Sequence, residues 1–267
     1  MKEFFRFDQP NFYNLSFLEL IIPITIVYTI VLILVIYRDK IKEKKNIDTF
    51  IRITMGVMLL SLFVSYYILV WSYEGINKHN LPLSLYSICC ILCILLTFTK
   101  KRFLFSITLY MGIIIGMINM LTNTVGYSYM YYRYYQLMIS NGLIILIPLY
   151  FLIVHEYLPK LKETFISLIL YQVMILLILL VNYNLKTYYS NLIIGENMEI
   201  SPVNNVLYYL GDWPWYLIWS ELIGITLIFI IYTVIYLVNI QYTKAVNERV
   251  SMTKISTQSI YMKKKKK

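Results

Sequence analysis

Five polar side chains that could hydrogen-bond a ligand lie inside long apolar segments of the chain. They are Ser84, Tyr86, Asn119, Asn141 and Glu221. A polar or ionisable group within a spanning helix costs free energy and needs a partner, so each is a functional candidate by default. All five fall in the outer half of their predicted helices, whereas the inner halves are nearly pure Ile, Leu and Val. This one-sided polarity predicts a cavity that opens to the outer leaflet and binds a lipid or a small amphiphile.

A structural interpretation of the same residues stays open. Hydroxyl and amide groups also form hydrogen bonds between helices, each contributing roughly 0.6–2 kcal/mol to packing. For Glu221 a functional role is favoured, because a lone carboxylate about two turns into a helix needs a stronger reason. Glu19 lies close enough to the end of its predicted helix to be solvated by the headgroup region.

Metal and thiol chemistry find little support in the sequence. Two histidines, His79 and His155, are too few for a histidine-based metal site, and the three cysteines lack the spacing of a metal motif. We therefore expect no metal and no cofactor. Cys89, Cys90 and Cys93 are predicted to be buried, inert side chains. His155 and Glu156 are predicted to form a solvated pair at the membrane edge.

Composition indicates the elements that must position these groups. The chain has 267 residues, of which 59% are hydrophobic and 14% charged, and its mean hydropathy is +0.65. These values exclude a disordered chain, a coiled coil and an ordinary soluble enzyme, because a soluble domain is about a quarter charged. The net charge of +10 comes from the loops, so membrane lipids and not nucleic acid are the expected partners.

Seven apolar segments are long enough to cross a bilayer as helices. They are Phe17–Tyr37, Ile53–Trp71, Leu81–Phe98, Phe103–Leu121, Tyr135–Val154, Thr164–Val181 and Trp213–Val238. Alternate loops and the tail hold 19 of the 24 Lys and Arg residues. Since positive loops stay in the cytoplasm, the pattern predicts an all-α bundle of seven transmembrane helices with the amino terminus outside and the carboxyl terminus inside.

The domain organisation is simple. Residues 1–238 form the predicted transmembrane domain, and residues 239–267 a polar, Lys-rich cytoplasmic tail. The protein is expected in the cell membrane as a multi-pass protein, and its oligomeric state stays open. Gly112 and Gly116, four residues apart, predict a close-packing face on the fourth helix.

Three short motifs resemble a known family. The segments are Leu81–Tyr86 (LPLSLY), Ile139–Gly142 (ISNG) and 212–216 (DWPWY). They are similar to LPLHLC, ISHG and GPWPWY of the YwaF-like bacterial integral membrane proteins, in the same order. That family is largely uncharacterised and is grouped with a eukaryotic multi-pass lipid acyltransferase, for which a Cys and a His are the expected catalytic pair.

The resemblance carries these catalytic positions onto other residue types. The family's His and Cys of the first motif fall on Ser84 and Tyr86, and its His of the second motif falls on Asn141. A tyrosine hydroxyl is a poor acyl acceptor without an activating base, and an amide does not titrate. We therefore expect a binding protein that keeps the family's cavity, with its catalytic Cys and His positions substituted.

Two alternatives stay open. A lipid acyltransferase-like enzyme would use Ser84 as nucleophile and would need a base within hydrogen-bond reach, for which Glu221 is the candidate. A small-molecule transporter would use Glu221 as a protonatable group, although the sequence shows no internal repeat of the kind that transporters often carry.

Overall fold

A computed structural model describes residues 4–6, 15–121, 127–191, 210–211 and 214–264. Within these residues the chain forms seven α-helices, one short 3-10 helix at Tyr189–Asn191 and no strand. The α-helices are α1 (Phe17–Glu43), α2 (Lys45–Glu74), α3 (Leu85–Thr99), α4 (Arg102–Leu121), α5 (Tyr132–Ile153), α6 (Leu161–Leu185) and α7 (Trp215–Lys264). The prediction of an all-helical protein is confirmed. Asp212 and Trp213 of the third motif lie outside the described residues.

Six of these helices, all except α3, are long and apolar enough to cross a membrane. Helix α3 has only 15 residues, which is about 22 Å at 1.5 Å per residue against a hydrocarbon core of about 30 Å. It is shorter than predicted because Leu81–Ser84 is not helical, and the Ser84 side chain caps the helix by accepting from Ser87 N–H. Six spans are supported by length and composition, while a seventh span and the sidedness of the termini stay predictions.

Helices α1, α2 and α7 are longer than the apolar segments that predict them. The predicted first loop, residues 38–52, is helical except for Lys44, which alone separates α1 from α2. No Gly or Pro interrupts that stretch. Lys40 and Lys42 lie in the last turn of α1, where cations interact favourably with the helix dipole. Helix α7 likewise continues past Val238 into the predicted tail, since no helix breaker follows there.

Helix α5 is the centre of the bundle. Fifteen of its 22 residues are buried, and it contacts α1, α2, α3 and α4. Helix α6 packs against α3 and α4, and α7 packs against α4 and α6. Helices α3 and α5, which carry residues of the first and second motifs, are therefore in direct contact, with no other helix between them.

The α4–α5 contact is close because glycines line it. A Cβ atom at Gly112 would lie 2.2 Å from the Ile144 carbonyl oxygen, and one at Gly116 would lie 2.5 Å from the Ile145 side chain. Pro148 has no N–H to donate to the Ile144 carbonyl one turn earlier. The Cys93 thiol of α3 instead approaches that oxygen, at 3.9 Å. The predicted close-packing face of α4 thus packs against α5.

The helix termini gather at two ends of the bundle. The basic end holds the α1–α2 link at Lys44, the α3–α4 turn at Lys100 and the α5–α6 connection at 154–160. Ion pairs join these connections, among them Lys42–Glu156 at 2.6 Å. The opposite end holds the starts of α1 and α5, where the Tyr134 hydroxyl donates to the Glu19 carbonyl at 2.6 Å. Consecutive helices therefore run in alternating directions.

Candidate functional site

Tyr86 and Ser140 join α3 to α5. The two hydroxyl oxygens lie 2.6 Å apart, and the Ser140 hydroxyl also lies 2.5 Å from the Gln136 carbonyl of its own helix. A hydroxyl has one proton, so Ser140 donates to that carbonyl and accepts from Tyr86. The predicted residue Tyr86 is half-buried and occupies a neutral hydrogen-bonded position between two helices.

Asn119 and Asn141 join α4 to α5 in the same layer of the bundle. The Asn119 side-chain amide donates to the Asn141 Oδ1 oxygen at 3.4 Å. Asn141 is fully buried, and its Nδ2 atom has no hydrogen-bond partner among the described residues. Because Asn141 follows Ser140 directly, the structure brings three predicted residues, Tyr86, Asn119 and Asn141, around one segment of α5.

Ser84 and Glu221 bond to other partners. The Ser84 hydroxyl caps α3 and lies 2.9 Å from the Ser87 hydroxyl, which in turn lies 2.8 Å from the Tyr67 hydroxyl of α2. The Glu221 carboxylate of α7 is half-buried and accepts from the Gln172 side-chain amide of α6. A cap within α3 therefore accounts for Ser84, and a helix–helix hydrogen bond accounts for Glu221. A ligand role for the five predicted positions stays a prediction.

Glu19 differs from the expectation of a solvated carboxylate, since it is only 7% exposed. It closes a capping box at the start of α1, where its Oε2 atom accepts from the Ser16 N–H and hydroxyl, both at 2.8 Å. Its Oε1 atom accepts from the Tyr129 N–H at 3.1 Å. These neighbours supply the hydrogen bonds that water would otherwise provide.

A large apolar cavity lies between α1, α2 and α5. Its volume is about 810 Å³. Most of its wall is formed by Ile, Leu, Val and Met side chains, and the lining reaches Ser16, Glu19, Tyr129 and Tyr134 at the opposite end of the bundle. Leu18, Ile22 and Ile26 of its wall are themselves exposed, so the cavity opens sideways between helices. None of the five predicted residues lines it.

An ionisable cluster at the basic end was not anticipated from the sequence. Its centre is Asp48 of α2, which is 6% exposed. The Asp48 carboxylate accepts from the Tyr150 hydroxyl at 2.7 Å, lies 2.8 Å from His155 Nε2 and pairs with Lys100 Nζ at 3.0 Å. His155 is therefore bonded within the bundle and is not the solvated residue that was predicted. The sequence did contain one indication of this cluster, because the predicted topology places Asp48, Lys100 and His155 on the same, basic side of the membrane.

His155 is half enclosed in this cluster. Burial lowers the pKa of its imidazole from the ordinary value of 6.5, and the nearby Lys100 and Arg52 charges act in the same direction, while Asp48 opposes them. The imidazole is thus held mainly neutral at pH 7. Within the described residues, no group of three or more His, Cys, Asp or Glu side chains is arranged to hold a metal ion.

A comparison with known protein families matches residues 12–232 to the TMEM164 family. The chain belongs to the TMEM164 family. No curated relative and no solved structure matches it. The matched region begins before α1 and ends within α7, so it includes helices α1 to α6 and the first part of α7. Together with the six long apolar helices, membership identifies a multi-pass membrane protein.

Proposed function

We propose that this protein binds a membrane lipid, with an acyl chain held in the cavity between α1, α2 and α5. The observation that carries the proposal is the shape and chemistry of that cavity. Its wall follows α1 from Ser16 to Leu34, which is about 27 Å at 1.5 Å per residue. One leaflet of the hydrocarbon core is about 15 Å thick, so the cavity is long enough for a complete acyl chain.

The exposed side of α1 supports entry from the bilayer. Ile22 and Ile26 are more than half exposed, and in a membrane such apolar side chains face hydrocarbon and not water. A lipid chain therefore reaches the cavity without crossing a polar surface. The polar groups of Ser16 and Tyr129 at one end of the lining suit the glycerol or headgroup region of an amphiphile.

The test is to fill the cavity and measure co-purified lipid by mass spectrometry. Ile26→Trp places a bulky ring in the cavity wall and is expected to lower bound lipid several-fold. Ile36→Trp is the matched control, because Ile36 lies on the same helix, is 73% exposed and does not line the cavity. Equal lipid content in the wild type and Ile26→Trp would reject the proposal.

The predicted polar residues supply the competing location. If the lipid lies among Ser84, Tyr86, Asn119, Asn141 and Glu221, then Tyr86→Phe and Glu221→Gln should lower bound lipid and Ile26→Trp should not. The same measurement of bound lipid distinguishes the two binding locations, since none of the five predicted residues belongs to the cavity wall.

Lipid acyl transfer is a second candidate, favoured by one observation. The resemblance assigns catalysis to Ser84, Tyr86 and Asn141, and the Tyr86 hydroxyl bonds Ser140, the residue directly before Asn141, at the α3–α5 contact. Transfer there would form a new ester on a hydroxyl of this cluster and break the lipid ester, and the lipid alcohol would leave with the proton of that hydroxyl. Unchanged lipid turnover in Ser140→Ala and Tyr86→Phe would reject this candidate.

A further inference from the structure

The cluster around Asp48 has no role in the lipid-binding proposal, although it contains a buried carboxylate and one of the two histidines of the chain. Its donors come from three separate segments. Tyr150 belongs to α5, Lys100 to the α3–α4 turn and His155 to the α5–α6 connection. A single cation is enough to neutralise Asp48, and Lys100 already supplies it. Neutralisation of Asp48 therefore does not explain why an imidazole is also held against this carboxylate.

The ring of His155 is fixed in position. It stacks on the Phe151 ring with centroids 4.9 Å apart and an interplanar angle of 21°. The Tyr150 and Tyr157 rings lie 5.8 Å from it. Rotation away from Asp48 would break the hydrogen bond and the stacking contact together. The side chain nevertheless keeps 19% of its surface exposed, so solvent reaches part of the ring.

The hydrogen bond to Asp48 assigns the tautomer. Because Nε2 faces the carboxylate at 2.8 Å, that nitrogen carries the proton and Nδ1 carries the lone pair. No hydrogen bond to Nδ1 is formed within the described part of the chain. A neutral imidazole whose far nitrogen is held by a buried carboxylate is the arrangement that removes a proton from an attacking hydroxyl in hydrolytic enzymes.

We propose that Asp48 and His155 form a general-base pair that activates water to hydrolyse an ester at the basic end of the bundle. The O–H bond of water breaks as its oxygen bonds to the ester carbonyl carbon, and the proton moves to His155 Nδ1. When the tetrahedral intermediate collapses, the alkoxide leaves and takes that proton, so the products are a carboxylic acid and an alcohol. Asp48 is the positioning residue, and Tyr150 and Lys100 hold Asp48 in place.

Two properties of the site support this assignment. The imidazole is neutral at pH 7, because burial lowers its pKa, and only the neutral form accepts a proton. The site also lies near the helix ends of the bundle, where 19% of the His155 side chain is exposed and water can reach the ring. It uses none of the residues of the α3 and α5 motifs.

The first experiment measures hydrolysis of p-nitrophenyl butyrate by the full-length protein in detergent micelles. Wild type should release p-nitrophenolate faster than the detergent blank, and His155→Gln should lower the enzymatic rate about a hundredfold, the usual contribution of a general base. His79→Gln is the matched control, because His79 is exposed and stacks on Tyr188, away from the Asp48 cluster. The wild-type rate should fall as the pH is lowered and His155 is protonated, with a midpoint below the ordinary imidazole pKa of 6.5.

The second experiment does not depend on turnover. In the His79→Gln variant, one histidine remains, so the ¹⁵N spectrum of the imidazole reports His155 alone. A protonated Nε2 with an unprotonated Nδ1 at pH 7 is expected, and Asp48→Asn should shift that spectrum. A protonated Nδ1, a wild-type rate equal to the blank, or full activity in a folded His155→Gln variant would each overturn the proposal.

Discussion

The basic end and the middle of the bundle both hold other helices against α5, but they use different chemistry. At the basic end a carboxylate, an ammonium group, an imidazole and a phenol surround Asp48. In the middle, only neutral groups meet, in the pairs Tyr86–Ser140 and Asn119–Asn141. A charge in hydrocarbon is far costlier than a hydroxyl or an amide. Around α5, ionic contacts therefore lie at the basic end, and neutral contacts lie in the middle of the helix.

This comparison predicts that the two sets of contacts contribute unequally to the free energy of unfolding, and that the contribution of Asp48 is the largest. Asp48→Asn removes the charge that pairs with Lys100 and places an N–H donor opposite that cation, while one acceptor oxygen remains for Tyr150 and His155. We expect a loss of about 3 kcal/mol in unfolding free energy, the lower end of the range for a broken buried ion pair, because the Lys100 side chain is 34% exposed. Denaturation with sodium dodecyl sulfate in mixed micelles measures it.

The control for that variant is Asp39→Asn. Asp39 also pairs with a cation, Arg38 at 3.0 Å, but its side chain is 78% exposed. Exposed ion pairs contribute about 0–1 kcal/mol, so the change should be close to zero. A similar loss of unfolding free energy in both variants would contradict the prediction, because the burial of Asp48 would then add no stability to its ion pair.

The second prediction concerns the close approach of α4 and α5 in the middle of the bundle. Gly112→Ala would place a methyl group against the Ile144 carbonyl, which cannot move without displacing α5. Overpacking of this kind costs about 1–3 kcal/mol, measured by the same denaturation. Gly224→Ala on α7 is the matched control, because nothing lies within 4 Å of its added Cβ. There the change should be neutral or stabilising.

The smallest expected effect is the coupling between Tyr86 and Ser140. Removing the Tyr86 hydroxyl in Tyr86→Phe, the Ser140 hydroxyl in Ser140→Ala, and both together forms a double-mutant cycle. Hydrogen bonds between membrane helices contribute about 0.6 kcal/mol on average, and we expect a coupling energy of that size. A coupling above that of Asp48 with Lys100 would reverse the comparison between the two regions.

Composition was sufficient to predict the helices, because segments of this length and hydropathy have no other stable form in lipid. The local signals Pro82 and Ser84 also explain the later start of α3, although the apolar run itself extends further back. The long α1 and α2 were harder to predict, since charged residues 38–52 look like a loop when only hydropathy is considered. The absence of helix breakers was the better indicator.

The contacts of the polar residues were harder to predict from the sequence than the helices were. Tyr86 and Ser140 are 54 residues apart, and Asp48 and His155 are 107 residues apart. Charge alternation assigns a residue to one end of the bundle but does not select its neighbour. For the same reason the partner of Glu221, Gln172 of α6, could not be identified before the packing of α6 and α7 was known.

The enclosure of Cys89, Cys90 and Cys93 has a practical consequence. Each thiol is at most 1% exposed, and Cys93 faces the carbonyl that Pro148 leaves without a helical donor. A maleimide in the surrounding medium reaches these sulfur atoms only when α3 separates from its neighbours. The rate at which maleimide alkylates the unmodified protein therefore measures how often α3 separates from its neighbours. The three native thiols report this opening without an added label site.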